Sequence, residues 1–516
     1  MQHVIEIKNG IARNKNIFQE PINISFEAKE CVGIVGPNGA GKSQLVDIIT
    51  GRSPLLSGMI KYNFSSNISN HVYDNVSYVS FIDVYGTAEG HYYYQQRWNQ
   101  TEIETYPTVS QLLNKSLSYI NNRINNDTNC DKQKNNYIEI QKHSFFKYIY
   151  TVFDIKSIEN KKIVMLSSGE SRRFQFVKAL LTNPQVLIID NPFIGLDSAT
   201  RKQMSSIIKK LYDEMNILII MILSSPKDVP DFITNIIEVN NKIIRPKISK
   251  TEWLLKTKND YASTQNSKSH DKIALIYKLR EVEHSYNNCT NIKSINNSSN
   301  VVEFKNVTIK YGDRIVLDNL SFTIKNNEHW AITGANGSGK STLLGIIYAD
   351  NPQAYANNIV LFGHKRGEGE SIWDIKKHIG YISPEIHRSY MRHIPAINVV
   401  ASGLRDTVGL YITPSDEDLK RCRYWMDILG IERLANRDFM TLSNGEQRLA
   451  LLSRVFVKDP SLLLLDEPFH GLDLYNRQLV TEIIYEFCKR ENKTLIMVSH
   501  FEEEFPNIID HRLQLG

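Results

Sequence analysis

Two stretches of the chain decide how it folds: "VLIIDNPFIGLD" (186–197) and "LLLLDEPFHGLD" (462–473). Each opens on an uninterrupted apolar run ending in aspartate, which reads as a strand buried on both faces inside a parallel sheet. Asp190 and Asp466 then stand at strand ends, where ligands of parallel α/β sheets gather. The copies match almost residue for residue, except that Asn191 stands where the second copy has Glu467. An acid that can take a proton has become an amide that cannot.

The repeat extends far beyond these strands, with a period of about 298 residues at its first motif. "ECVGIVGPNGAGKS" (30–43) pairs with "EHWAITGANGSGKS" (328–341), "MLSSGESRRFQFVKALLTNPQVLIIDNP" (165–192) with "TLSNGEQRLALLSRVFVKDPSLLLLDEP" (441–468), and "VIEIKNG" with "VVEFKNV". The chain therefore reads as two homologous domains, 1–245 and 301–516, joined by a polar linker, 246–300. Within the linker "DKIALIYKLREV" (271–282) has apolar residues at helical spacing and predicts one short helix. The first domain carries an extra polar stretch, "NNRINNDTNCDKQKNN" (121–136), read as a mobile surface loop.

Composition bounds the answer without choosing it. With 516 residues, 41% apolar and 23% charged, two or three packed domains are expected. The net charge of +5 is weak for this length and leaves nucleic-acid binding open. Five scattered cysteines without a C-x-x-C pair argue against a zinc site or disulfide framework and for a reducing compartment. The start, "MQHVIEIKNG", lacks a signal pattern, and the most apolar run, "ILIIMIL" (217–223), is far short of the about 20 residues a membrane span needs. A cytoplasmic protein is expected, reaching a membrane only through a partner.

"GPNGAGKS" and "GANGSGKS" both fit G-x-x-x-x-G-K-[ST], between a strand-like run and a helical pattern. Gly36, Asn38, Gly39 and Gly41 in one copy, and Gly334, Asn336, Gly337 and Gly339 in the other, let backbone N–H groups face phosphate oxygens at a helix N-terminus. Lys42 and Lys340 would reach the outer phosphates. Ser43 and Ser341, with Thr342 beside the latter, begin the helices; Ser43 with Asp190 and Ser341 with Asp466 are the candidate Mg²⁺ ligands. A chance glycine-rich turn explains one such match poorly and two corresponding ones hardly at all.

Together these motifs resemble the ATP-binding-cassette ATPases. Each half also has a signature-like segment, "LSSGE" (166–170) or "LSNGE" (442–446), and a "GLD" loop after the aspartate strand. Within that family, "LFGHKRGEGESIWDIKKHIGYIS" (361–383) and "NRQLV" look like the ModF type of tandem cassette, named for molybdenum transport. The resemblance implies an α/β fold of two P-loop nucleotide-binding domains in tandem. Each would have a RecA-like core, an antiparallel β subdomain and a helical signature subdomain. It further implies ATP and Mg²⁺ as cofactors and head-to-tail pairing of the cassettes. Ser167 and Gly169 would then serve the ATP held by Lys340, and Ser443 and Gly445 the ATP held by Lys42. Ser168 and Asn444 replace one glycine of the usual signature pair.

In this family the residue after the aspartate orients the attacking water, a histidine after the next strand contacts the γ-phosphate, and an aromatic stacks on adenine. The second half has Glu467, His500 in "LIMVSHFEEE" and Tyr311 in "KYGDR". The first half has Asn191, Ser225 and, near the ring's place, Asn14. Three losses in one half imply a working site built on Lys340, Asp466, Glu467 and His500, and a holding site built on Lys42, Asp190 and Asn191. The alternative is that the first half is a structural relic.

A further departure concerns partners. Transporter cassettes usually place a Gln where "SYVSF" (77–81) has Phe81 and "GYISPE" (380–385) has Pro384, with Glu385 next door. "HYYYQQRW" (91–98), with Gln95 and Gln96, is either a partner-contact patch or an aromatic cluster under a loop. His470 either reaches across the cassette interface or is solvated, and "HKRGEG" (364–369) is either a phosphate contact or a solvated turn. Three functions compete: an ATPase serving a separate membrane permease that moves molybdate or a related metal species, a soluble ATPase acting on nucleic acid or ribosomes, and a nucleotide-gated switch with little turnover.

Overall fold

The computed structural model describes residues 3–13, 18–64, 71–80, 106–127, 145–166, 168–193, 196, 198–215, 217–264, 300–311, 314–335, 337–390 and 392–516. They form two units, residues 1–259 and 260–516.

In the first unit β1 (His3–Ala12), β2 (Ile22–Glu27) and β4 (Leu55–Tyr62) make an antiparallel sheet in the order β2-β1-β4, while β3 (Cys31–Val35) starts the main sheet. That sheet runs from β5 (Val76–Ser80) through β6 (Val186–Asp190), β7 (Leu218–Leu223) and β3 to β8 (Asn235–Asn240) in parallel register. The apolar runs explain why it is buried on both sides. Val32, Ile34, Val186 and Ile188 enter one core together with Leu45 and Phe26. Their neighbours Cys31, Val35, Leu187 and Ile189 enter the other, with Leu113, Phe176 and Ile208. Successive residues of a strand face opposite ways, so an all-apolar strand needs two covers. The second cover includes α2 (Val109–Asp127), α3 (Ser168–Leu180) and α4 (Ser198–Glu214).

The second unit repeats the plan. Strands β11 (Asn300–Tyr311), β12 (Arg314–Lys325), β14 (Asn358–Leu361) and β15 (His364–Lys365) form the antiparallel sheet, ordered β12-β11-β14-β15. The parallel sheet is β16 (Ile379–Ile382), β17 (Leu462–Asp466), β18 (Thr494–Val498), β13 (His329–Gly334) and β19 (His511–Leu515), in that order. Leu462 and Leu464 point into the core shared with Val302, Phe304 and Leu344. Leu463 and Leu465 point into the core of Trp425, Phe456 and Phe487, where the rings of Trp425 and Phe456 stack at 5.0 Å. The α/β tandem plan expected from the repeat is the one observed.

Two stretches fold differently from their composition. The polar stretch 121–136 begins as helix, since α2 runs to Asp127; residues 128–136 lie outside the described residues. Within the stretch read as linker, β10 (Ile248–Ser249) adds antiparallel to β8, and α5 (Lys250–Thr264) follows it. Trp253 is 2% exposed in the same core as Ile233 and Ile236. A single buried indole docks this otherwise polar helix on the first unit. The helix expected at 271–282 lies outside the described residues. No helix among the described residues is long and apolar enough to cross a membrane.

Candidate nucleotide-binding sites

Each parallel sheet delivers its phosphate loop in the same way. Strand β3 leads into α1 (Lys42–Ile49), and β13 leads into α6 (Lys340–Ile347). The glycines are required by close approach. A Cβ on Gly36 would lie 1.9 Å from the Val239 carbonyl oxygen, and one on Gly334 2.3 Å from that of Leu515. Gly41 and Gly339 cap the helices at φ +109° and +96°, a left-handed conformation that side chains disfavour. Gly39 and Gly337 share it, at φ +73° and +83°. Lys42 Nζ donates to the carbonyls of Gly36 (2.6 Å) and Pro37 (2.9 Å). Lys340 Nζ donates to those of Gly334 and Ala335, both at 2.8 Å. Each lysine thus hooks onto its own loop. Asn38 lies in the first loop and buried Thr342 follows the second; Asn336 lies outside the described residues.

In the second unit the loop faces a crowded acidic pair. Asp466 ends β17, and Ser341 Oγ donates to its Oδ2 at 3.5 Å. Burial, then the Glu385 charge, raises the Asp466 carboxyl above its usual range; Arg448, Lys340 and the Ser341 hydroxyl oppose them. Glu467 follows at φ +49°. Its Oε1 accepts no hydrogen bond among the described residues, yet lies 3.6 Å from His500 Nε2. Burial, then Asp466 and Glu504, pushes the Glu467 carboxyl up to about 8. A buried acid with an idle oxygen and a raised pKa is suited to accepting a proton. Ser341, Asp466 and Glu385 offer oxygen donors only, and the strain among their carboxylates is what a hard divalent cation relieves, so the set fits Mg²⁺. Glu385 follows Pro384 in the short helix capped by Ser383.

The turn carrying Glu467 is held by a residue that no motif reading singled out. Arg448, fully buried on α7 (Asn444–Phe456), donates to the carbonyl oxygens of Ser383 (3.1 Å), Asp466 (3.1 Å), Glu467 (2.5 Å) and Pro468 (3.1 Å). The same helix begins with the signature. Ser443 caps it in a reciprocal box with Glu446, whose Oε2 accepts from the Ser443 N–H at 2.9 Å and hydroxyl at 2.8 Å. Gly445 is buried in its first turn. In the first unit Arg172 on α3 donates to the Pro192 carbonyl, the matching contact. Gly169 lies in the first turn of α3, whereas Ser167 lies outside the described residues.

Tyr311 ends β11, half-buried, and its hydroxyl accepts from Asn351 Nδ2 at 2.8 Å. It packs, partly buried, against the core beneath the phosphate loop. His470 is half-buried in the turn after Glu467, its N–H donating to the Glu467 carbonyl at 3.1 Å. "HKRGEG" is not a free basic turn: the Arg366 side chain is buried and paired with Glu370 at 2.5 Å.

The first unit has the same backbone and different chemistry. Asn191 takes the same left-handed conformation as Glu467, φ +49°. Its Nδ2 donates to Asp190 Oδ1 at 2.8 Å, and its Oδ1 accepts from Ser224 Oγ at 3.1 Å. Tyr78 of β5 donates its hydroxyl to Asp190 Oδ2 at 2.9 Å. Burial raises the Asp190 carboxyl, against the pull of Tyr78, Lys42 and Asn191. The register corrects the expectation for Ser225: the Ile222 carbonyl accepts from the Asn191 N–H as the Val498 carbonyl accepts from the Glu467 N–H, so Ser224, two residues beyond Ile222, stands at the place of His500, and the buried Ser225 follows it. Ser43 is exposed and makes no hydrogen bond to Asp190 among the described residues. Both oxygens of the expected metal aspartate are therefore occupied by protein donors, a poorer fit to Mg²⁺ than in the second unit. Asn14, Phe81, Gln95 and Gln96 lie outside the described residues.

Two loop–strand–signature sets of this geometry, on matching parallel sheets, are what one family model describes: "ABC transporter" matches residues 19–194 and again 317–470. The chain belongs to the ABC transporter family. It is a tandem ABC ATPase, binding nucleotide through this repeated fold. The chain is 32% identical to the ABC transporter ATP-binding protein ModF of Escherichia coli (strain K12), over 95% of this chain and 92% of that protein. An uncharacterized ABC transporter ATP-binding protein of Schizosaccharomyces pombe is 26% identical over 96% of this chain and 94% of that one. Another from Saccharomyces cerevisiae is 25% identical, over 92% and 89%. The tandem arrangement is thus matched along nearly the whole length of all three.

Proposed function

We propose that the two halves divide the work: the second hydrolyses Mg²⁺-ATP and the first holds nucleotide. The observation that carries this reading is the contrast at one backbone position. Glu467 keeps an idle oxygen 3.6 Å from His500, whereas the Asn191 amide is spent on Asp190 and Ser224. Glu467 orients the attacking water and takes its proton, His500 and Lys340 contact the γ-phosphate, and Ser341 with Asp466 would hold Mg²⁺. The cation, when bound, neutralises developing phosphate charge. Following the family pattern of head-to-tail cassettes, Ser167 and Gly169 complete the hydrolytic site, while Ser443 and Gly445 complete the holding site. Nucleotide retained there favours the closed pair by linkage.

The work is delivered, in our reading, to a separate membrane permease on the cytoplasmic side. The near full-length likeness to ModF supports this, as does the family; the motif likeness to the ModF type points to molybdate or a related metal species as cargo. Pull-down of the Glu467→Gln chain from native membranes in mild detergent tests the assignment. Recovery of a permease supports it. Recovery of ribosomes or nucleic acid, independent of detergent, replaces it with a soluble ATPase acting on those partners. Steady-state ATPase tests the division of labour: Glu467→Gln abolishes turnover and Asn191→Gln leaves it nearly unchanged, and the reverse pattern refutes it.

A further inference from the structure

The halves differ most at the group that should hold a cation. Among the described residues the Asp466 carboxylate accepts one side-chain hydrogen bond, a long one of 3.5 Å from Ser341 Oγ to Oδ2, and its Oδ1 has no donor. Asp190 has a donor on each oxygen, Tyr78 on Oδ2 and Asn191 on Oδ1. Neither donor is loose. The Arg52 guanidinium lies over the Tyr78 ring, 5.0 Å from its centroid, and Ser224 braces the far side of the Asn191 amide. A hydrated cation approaching Asp190 has to share an oxygen already engaged or break a braced contact, inside a buried site where lost hydrogen bonds are not replaced by water. The exposed Ser43 does not reach toward Asp190 as Ser341 reaches toward Asp466.

Phosphate charge has other partners here. Lys42, the loop N–H groups and the N-terminus of α1 remain. A site that only retains its ligand has no need to polarise the γ-phosphate. We infer that the first-half loop holds its nucleotide as the metal-free anion, so that the loaded chain carries one divalent cation for two nucleotides. This rests on the reading above that the first half binds nucleotide at all.

Metal counting separates the possibilities. The Glu467→Gln chain is loaded with ATP and Mn²⁺ and desalted rapidly; nucleotide is measured by chromatography and manganese by mass spectrometry. Two nucleotides to one manganese is the expected result. Two to two overturns the inference while leaving the holding site in place. One to one overturns the holding-site reading, and the inference with it. Tyr78→Phe combined with Asn191→Gly removes both donors at a backbone position glycine tolerates, and should bring in the second manganese; a ratio unchanged by this pair also overturns the inference. In Lys340→Ala, which leaves only the first-half site, replacing Mg²⁺ by EDTA should change ATP affinity by less than about threefold. In Lys42→Ala it should weaken affinity by more than about 30-fold. Equal losses in the two variants refute the asymmetry.

Discussion

Replacing Glu467 by asparagine should make the protein more stable and inactive. Glu467 sits at φ +49°, a conformation that costs an ordinary residue about 1 kcal/mol and that asparagine tolerates. The first half shows what the amide does there: Asn191 Nδ2 donates to the preceding aspartate at 2.8 Å. The same bond to Asp466 in Glu467→Asn is worth about 1 kcal/mol. The sum, about 2 kcal/mol, raises the melting temperature of a unit of this size by about 4–8 °C. Calorimetry near pH 4.5 without nucleotide is the assay, because the Glu467 carboxyl, pushed up to about 8 in the native chain, is protonated there and has only begun to ionise in the unfolded chain, so proton linkage adds little. Glu467→Gln is the control. It removes the acid but keeps the unfavourable backbone, and its longer side chain carries the amide past the preceding aspartate, so it should gain at least about 1 kcal/mol less than asparagine. Both variants should lose about a hundredfold or more in hydrolysis. If asparagine is no more stable than glutamine, the backbone argument is wrong.

Three further outcomes follow from the same contacts. The raised Glu467 carboxyl keeps a proton that the unfolded chain releases near pH 4.5, so native stability falls as pH rises from there towards 8; the melting-temperature advantage of Glu467→Gln should therefore grow over that window, and a constant difference contradicts it. Arg448→Lys leaves buried carbonyls around Glu467 unpaired, at about 1 kcal/mol or more each, and should lower kcat with little change in the KM for ATP; an unchanged kcat counts against Arg448 as a positioning residue. Trp253→Ala should destabilise the first unit by about 3–5 kcal/mol and leave the second unit's calorimetric transition in place, and a silent substitution would return residues 250–264 to the linker.

The parallel sheets were legible because their strands are unbroken apolar runs, and the phosphate loops because close backbone approach demands glycine at fixed spacing. The duplication made each motif a check on the other, and it isolated Asn191. Other features carried no local signal. Tyr78 and Asp190 are 112 positions apart in the chain, and only the pairing of β5 beside β6 brings them together. Arg448 looks like one more charged residue on a helix; its four carbonyl partners come from a turn and a strand end distant in sequence. Helix α5 hid for the opposite reason. Its sequence, "KTEWLLKTKND", is polar enough to read as linker, and one tryptophan decides where it goes.

The resting lysines set a threshold for what may enter the loops. Lys42 and Lys340 each already satisfy two carbonyl oxygens of their own loop. An incoming anion must outcompete both before it gains the ammonium group. A lone phosphate or sulfate offers one cluster of oxygens and has no means of holding on while the exchange occurs. A nucleoside triphosphate can seat its inner phosphates on the backbone amides first, then draw the lysine across. The hook thus works as a filter against the small anions that crowd a cell, charging an entrance fee that only a polyphosphate with several simultaneous grips can meet.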